Sequence, residues 1–387
     1  MATFFILNVR SHAPPPAQIT ENIMLDIFLI APPGLAHLLG SEAREAGFKV
    51  TSIESAGVTL EGGWPDVWRA NLVLRGATRV LVRIAAFRAM HLAQLDKRAR
   101  KVTWTDFLPS GVPIRVEATC RKSRIYHAGA AAQRVEKAAA DALGSMPNPK
   151  AKTALKVRIE DDLCTISLDT SGPSLHKRGL KAQVNKAPMR ETLASLFLRA
   201  AGYDGTGPVV DPMCGSGTFV LEAADMATGA AAGRNRSFAF EAFPTFDAAA
   251  FENMKAAVQP VAPQSIFKGS DRDQGAIDMS RANAERAGLS EATTFEVASI
   301  SDATPPEGPP GLVIANPPYG GRIGKSGGLG GLYSAFGQRM TEAFHGWRIA
   351  MVTSDAGLAH ATGLNWEKPG PIVDHGGIKI RLYQTKI

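Results

Sequence analysis

From about residue 187 onward, short apolar runs alternate with helical stretches, and this alternation limits the fold more than any other feature of the 387-residue chain. A helix over residues 188–201 precedes a strand at 208–210. A helix at 218–228, a strand at 265–269, a helix ending near 286 and a strand at 293–297 follow. A strand at 311–315, a helix at 332–344 and a strand at 347–353 continue the series, and 370–373 with 378–383 read as a closing hairpin. Parallel strands must be joined by crossovers, usually helical, so the pattern predicts a parallel, doubly wound α/β sheet with helices on both faces. Such sheets bind ligands outside the carboxyl ends of their strands, where the strand order reverses. The residues that immediately follow each strand are therefore the first candidates for a site.

The first half reads differently. Residues 25–30 are strand-like, 34–47 form an amphipathic helix, strand-like runs lie at 49–53 and 58–60, and a second helix starts near Pro65. Residues 79–84 alternate basic and apolar, as a half-buried strand does. Helical periodicity recurs near 89–101 and 128–144, residues 113–120 are strand-like, and 156–159 with 164–168 suggest a hairpin. This is a mixed α+β region of small units. The expected divisions are a mobile extension over 1–23, broken by Pro14-Pro15-Pro16, one unit over 24–75, another over 76–170, and the α/β region over 171–387.

Composition narrows the classes further. The chain is 45% apolar and 20% charged, which suffices for a buried core. It has no run of 18 apolar residues, so no membrane span is expected. Its short apolar start lacks the basic lead-in and length of a secretory signal. Cys120, Cys164 and Cys214 are widely separated, without metal-ligand spacing, which predicts reduced thiols, a cytoplasmic protein and no metal. The net charge of +7 is concentrated: residues 69–134 hold 14 basic and 3 acidic residues. A single Arg is ordinarily a solvated surface residue, but an excess of this size predicts a polyanion-binding face, with RNA or DNA as partner. Arg115, Arg121, Lys122 and Arg124 are the candidate RNA contacts in it.

Two strand-end motifs carry chemistry. In Asp211-Pro212-Met213-Cys214-Gly215-Ser216-Gly217-Thr218, the glycines let backbone approach a ligand and the following helix offers unpaired N–H groups. A dinucleotide site would want a third glycine where Val220 stands, and Asp211 would repel a pyrophosphate. A strand-end carboxylate suits instead the amino-acid end of S-adenosylmethionine. Asp211, Pro212, Cys214, Gly215, Gly217 and Thr218 are the candidate cofactor residues here. Asp271, at the next strand end, could accept both ribose hydroxyls, with Arg272 beside it; Asp273 suits a helix N-cap equally well. Cys214 lies in this loop rather than beside the second motif, so it reads as a packing residue and not a nucleophile.

Asn316-Pro317-Pro318-Tyr319 is the second motif. The Pro-Pro pair fixes a turn and removes two N–H donors, leaving acceptors. The Asn316 side chain and the Pro317 carbonyl can accept both hydrogens of a planar NH2 group, and Tyr319 can stack on its ring. Catalysis by such a site is positioning plus electrostatics, without a strong base. The glycine-rich stretch that follows, with Arg322 and Lys325, reads as a loop able to clamp a phosphate.

Taken with residues 174–181, 187–193 and Glu222-Ala223-Ala224, these motifs resemble the THUMP-domain RNA guanine-N2 methyltransferases, nearest in pattern to bacterial 23S rRNA enzymes of RlmL type. Residues 67–72 and 74–80 resemble that family's segment ahead of THUMP, and 121–124 with His127 a stretch within THUMP, so the likeness covers about residues 24–387. It implies a class I, Rossmann-like methyltransferase domain preceded by a ferredoxin-like piece over 24–75 and a THUMP domain over 76–170. It also implies S-adenosylmethionine as cofactor, and structured RNA, 23S rRNA or a ribosome precursor, as partner. The family's adenine-binding Asp falls at Ser299 here, with Asp302 as the available replacement. Other readings are tRNA guanine-N2 methylation, protein glutamine methylation, DNA adenine-N6 methylation, or an RNA-binding assembly factor without activity. A protein substrate gives no reason for the basic stretch. The catalytic domain is expected to bind cofactor when detached from the first half.

Overall fold

The computed structural model describes residues 24–179, 189–319 and 329–387. The extension over 1–23, the family-like residues within 180–188, and Arg322 and Lys325 lie outside the described residues.

The first half opens with β1 (Leu25–Ile30), α1 (Ala36–Glu45), β2 (Lys49–Glu54), β3 (Gly57–Gly62), α2 (Trp64–Val73) and β4 (Arg79–Arg88). This is a βαββαβ unit with strand order β2-β3-β1-β4, the ferredoxin-like arrangement. Leu25, Ile27, Phe28 and Leu29 of β1 are buried while Asp26 is exposed, as suits a central strand of the sheet. The half continues with α3 (Leu92–Ala99), β5 (Ile114–Arg121), α4 (Ala128–Leu143), β6 (Thr153–Glu160) and β7 (Leu163–Asp169). β4 pairs with β1 on one side and β7 on the other, so one seven-stranded sheet, β2-β3-β1-β4-β7-β6-β5, runs unbroken across residue 75.

The second half contains α5 (Glu191–Ala200), β8 (Val209–Asp211), α6 (Thr218–Ala227), α7 (Ala248–Ala257), β9 (Phe267–Asp271), α8 (Gln274–Ala287) and β10 (Thr293–Val297). It continues with β11 (Leu312–Ala315), α9 (Leu329–Ala343), β12 (Arg348–Thr353), α10 (Ala356–Ala361), β13 (Val373–His375) and β14 (Ile378–Lys386). Its strand order is β10-β9-β8-β11-β12-β14-β13. Strands from β10 to β12 are parallel, and β14 pairs antiparallel with β12 and β13. The order reverses between β8 and β11. Val209 and Val210 pair there with Leu312 and Val313, so the two motif-bearing strand ends are neighbours.

The halves are welded by two clusters. Trp64 and Trp68 of α2 are buried against Phe243, Phe240 and Phe246; Trp68 lies edge-on to Phe246 at 5.6 Å between centroids, and Phe251 of α7 closes the group. Beside it, buried Arg75 donates to Glu222 and Asp225 of α6 at 3.2 and 2.9 Å and to the Ala230 carbonyl at 2.6 Å. Arg178 and Arg234 complete the pairing of Glu222 and Asp225 at 2.6 Å each, and Glu42 of α1 accepts the Arg75 and Gly76 N–H groups. Glu222 therefore joins the halves; it is not presented at the strand ends. Buried charges persist only when paired and hydrogen-bonded in this way.

Candidate active site

β8 ends at Asp211, which is 2% exposed and accepts the Met213 N–H at 3.0 Å. Burial pushes its carboxyl up to about 8, the Met213 N–H pulls the other way, and the nearby Asp271 charge raises it further. Asp211 has no ion pair among the described residues, so a ligand ammonium can pair with it. Pro212, buried, leads into the loop. Gly215 and Gly217 hold φ of +55° and +79°, which side chains rarely adopt. A Cβ on Gly215 would project into open space, so the loop is bare at that point, whereas one on Gly217 would press on Ser280 and the Phe295 ring. α8 fixes the loop from behind: Ser280 Oγ donates to the Gly215 carbonyl at 2.9 Å and Asn283 Nδ2 to the Ser216 carbonyl at 3.2 Å. Thr218 is buried at the start of α6.

Asp271 ends β9. Its Oδ2 accepts the Gly215 N–H and its Oδ1 the Asp273 N–H, both at 3.0 Å, so each oxygen keeps a lone pair for a ligand hydroxyl. The same carboxylate thus holds the glycine loop in shape. Asp273 caps α8 by accepting the Gly275 N–H, its structural reading. Arg272 is exposed beside them. Asp302 is exposed after β10 and accepts from Ser299 Oγ at 2.7 Å, so both candidates for the adenine contact share one turn. Cys214 is buried, 3.9 Å from Ser280 Oγ, and burial drives its thiol far above the usual range. It packs against the loop and α8.

On the neighbouring strand, all four residues of β11 are buried and deliver Asn316 to the sheet edge. Asn316 Oδ1 is shielded from solvent and has no hydrogen-bond partner among the described residues. An orphaned buried acceptor costs about 1–3 kcal/mol, a cost that a donor-bearing ligand removes. Pro317 is buried, and Pro318 and Tyr319 are half-buried. Tyr333 of α9, which the sequence reading passed over, donates its hydroxyl to the Pro318 carbonyl at 3.2 Å and lies 3.3 Å from Thr353 Oγ1. Thr353 is itself held by the Asp355 N–H at 3.2 Å. Burial pushes the Tyr333 hydroxyl up to about 12, so it stays protonated and donating. The sequence signal for this residue was a Tyr on the buried stripe of a helix, where Phe would serve packing alone.

Of the four candidate RNA contacts described, Arg115 is engaged within its own sheet, with Glu117 and the Ala151 carbonyl. Arg121, Lys122 and Arg124 are exposed. Among the described residues no His, Cys, Asp and Glu cluster could hold a metal, and no helix is long and apolar enough to cross a membrane.

This geometry agrees with the comparisons. Residues 178–371 match the RMKL-like methyltransferase domain, half of the chain. The chain belongs to the RMKL-like methyltransferase family. Residues 26–81 match the RlmL ferredoxin-like domain. The chain is 35% identical to the ribosomal RNA large subunit methyltransferase K/L of Syntrophotalea carbinolica, over 94% of this chain and 54% of that protein. It spans about half the length of the curated relatives of that name. It is 29% identical to a putative RNA methyltransferase of Synechocystis, over 92% of this chain and 94% of the other. Among solved structures, SMU.472, a putative methyltransferase complexed with SAH, superposes with a TM-score of 0.85 at 26% identity, covering 95% of this chain and 99% of that one.

Proposed function

We propose that this methyltransferase transfers a methyl group from S-adenosylmethionine to the exocyclic N2 of a guanosine in structured RNA, 23S rRNA or a ribosome precursor in the cytoplasm. The observation that carries the reading is the buried Asn316 Oδ1 at the end of β11, without a partner among the described residues and beside the bare glycine loop of β8. The SAH held by the similar structure and the rRNA named for the longer relatives support the donor and the substrate class.

The residues present fit the cofactor. Asp211 would take its ammonium, the Gly215–Gly217 backbone its methionine end, Asp271 its ribose hydroxyls, and Ser299 or Asp302 its adenine amine. When bound, the cofactor supplies a methyl group on a sulfonium, an electrophile with a neutral thioether leaving group. The protein's own part is orientation. An arylamine lone pair is delocalised into its ring and is a weak nucleophile. Asn316 Oδ1 and the Pro317 carbonyl accept the two N–H bonds, which turns the lone pair toward the donor and favours the positive charge that develops on nitrogen. The Pro-Pro sequence leaves no backbone donor to compete for those acceptors. Tyr319 stacks on the base once it leaves its helix. The methylated nitrogen then loses its surplus proton to water, while Asn316 stays a neutral acceptor.

The test is methylation of rRNA and tRNA from cells lacking the protein, with labelled cofactor, followed by nucleoside mass spectrometry. N2-methylguanosine in large-subunit rRNA is expected. Label in adenosine, in tRNA alone or in protein would overturn the assignment.

A further inference from the structure

Tyr126 is the most exposed large apolar side chain among the described residues, at 85%. Tyr203, Tyr333 and Tyr383 are buried and Tyr319 is half-buried, so an outward ring is the exception in this chain. The backbone on either side of it is fixed. Ile125 is buried to 4%, and His127 caps α4 by accepting the Ala130 N–H at 3.0 Å. The ring is therefore set outward by its neighbours rather than left loose.

The residues just before it form a pinned loop. Ser123 Oγ donates to the Arg121 carbonyl at 2.8 Å and accepts the Asp162 N–H at 3.1 Å, and the Arg124 N–H donates to Asp162 Oδ1 at 2.8 Å. Lys122 takes a left-handed conformation with φ of +47°. The cations of this loop point to water: the Arg121 and Arg124 side chains are 73% and 68% exposed. Their acidic neighbours, Glu160 at 3.9 Å and Asp162 at 3.8 Å, form long, solvated contacts of little strength, which a phosphate can replace. Residues 119–135 contain no acidic side chain at all.

We propose that Tyr126 with Arg121, Lys122 and Arg124 is a seat for one unpaired nucleotide of the RNA substrate, the base stacked on the Tyr126 ring and the flanking phosphates on the three cations. The inference rests on the reading of the protein as an RNA methyltransferase and adds the substrate feature it recognises away from the strand ends. A base inside a duplex has both faces covered by its neighbours, so an outward ring discriminates for unpaired nucleotides. Cations alone would not discriminate. The pinned loop and the stiff tyrosine hold these groups in place before binding, so little ordering is lost on contact.

The test uses the full chain and two labelled RNAs of equal length, a blunt duplex and a hairpin with unpaired nucleotides, in fluorescence anisotropy at several salt concentrations. Tyr126→Ala should weaken binding of the hairpin about 5- to 100-fold, the range of one lost base–aromatic stack, and leave the salt dependence unchanged. Tyr126→Phe should bind within about twofold of wild type, since the ring is kept. Duplex binding should be unaffected by either change. Wild-type affinity of Tyr126→Ala for the hairpin, or equal losses on both RNAs, would overturn the proposal. Methylation by the wild-type chain is measured in parallel. If wild type methylates RNA while Tyr126→Ala binds normally, only this inference fails. If wild type neither binds nor methylates any RNA, the functional reading fails and takes this one with it.

Discussion

Replacing Asn316 by Ala should move activity and stability in opposite directions. Among the described residues Oδ1 is buried and unpaired, a defect worth about 1–3 kcal/mol against the ligand-free fold. Ala removes that defect and, at a half-buried position, gives up only a few contact atoms. The net effect on unfolding free energy is therefore between about zero and +2 kcal/mol. In the reaction, the same oxygen is the preorganised acceptor for the target N–H. Loss of one such group costs on the order of a hundredfold in rate, roughly 2.7 kcal/mol of barrier. Cofactor affinity should stay within about twofold, because Asp211, Asp271 and the glycine loop belong to other strands.

Single-turnover methyl transfer at saturating cofactor and RNA, calorimetric cofactor binding and thermal melting measure the three quantities on one preparation. A rate near wild type would remove Asn316 from the chemistry. A loss of stability greater than about 1 kcal/mol would show that Oδ1 is satisfied in the folded protein and that the argument from the orphaned acceptor is wrong.

The remaining predictions concern the surroundings of this acceptor. Asp211 titrates at about 8 when folded and at about 4 when unfolded, so the folded state holds the extra proton between those values. Ligand-free stability should therefore fall as pH rises through that window, and Asp211→Asn should abolish this component in urea titrations at a series of pH values. Pairing with a cofactor ammonium needs the charged carboxylate, so affinity should rise with pH, by up to about tenfold per unit from pH 6 to 8, with a proton released; calorimetry in buffers of different ionisation enthalpy reads this, and a pH-independent affinity would refute it. Tyr333→Phe keeps the packing but frees the Pro318 carbonyl; the saturated rate should fall about 3- to 30-fold with unchanged cofactor and RNA affinities, and an unaltered rate would show that the turn holds itself. Arg75→Met should cost about 3 kcal/mol in urea unfolding, while exposed Arg121→Ala should stay within about 0.5 kcal/mol.

The two strand-end motifs were legible in the sequence because each is local. β11 is a continuous apolar run followed by a rigid turn, and the β8 loop is a contiguous string with glycines where positive φ is required. The basic–apolar alternation of residues 79–84, within β4, and the helix–strand rhythm of the second half were likewise readable within short windows. What escaped has long-range or featureless causes. α7 buries only Phe251, so it shows no apolar stripe, and α10 has six residues, too few for periodicity to register. Tyr333 matters through partners 15 and 20 residues away. The charge count also misled in part. Arg75, Arg79 and Arg115 contribute to the basic excess over 69–134, yet Arg75 is buried between Glu222 and Asp225, Arg79 pairs with buried Asp169, and Arg115 pairs with Glu117. The outward positive face is smaller than the sequence sum implies.

Those same long-range contacts argue against one expectation, that the α/β region keeps its cofactor site when detached. Arg75 reaches α6 from 147 and 150 residues away, and α6 is the helix that begins at the glycine loop. Removing the first half takes away Trp64 and Trp68, uncovering Phe240, Phe243 and Phe246, and leaves Glu222 and Asp225 short of a buried cation. Each large aromatic returned to water costs about 1.5–3 kcal/mol and a broken buried pair about 3–5, so together they remove roughly 8–14 kcal/mol, comparable with the roughly 5–15 kcal/mol by which a domain is ordinarily stable. A fragment starting at residue 171 should therefore be unfolded or aggregated and should not bind S-adenosylmethionine in calorimetry. A monomeric, cooperatively melting fragment with the affinity of the full chain would refute the coupling. Its absence would mean that the helix presenting the cofactor loop takes its position from the unit on the RNA side, which fixes the distance between the two sites.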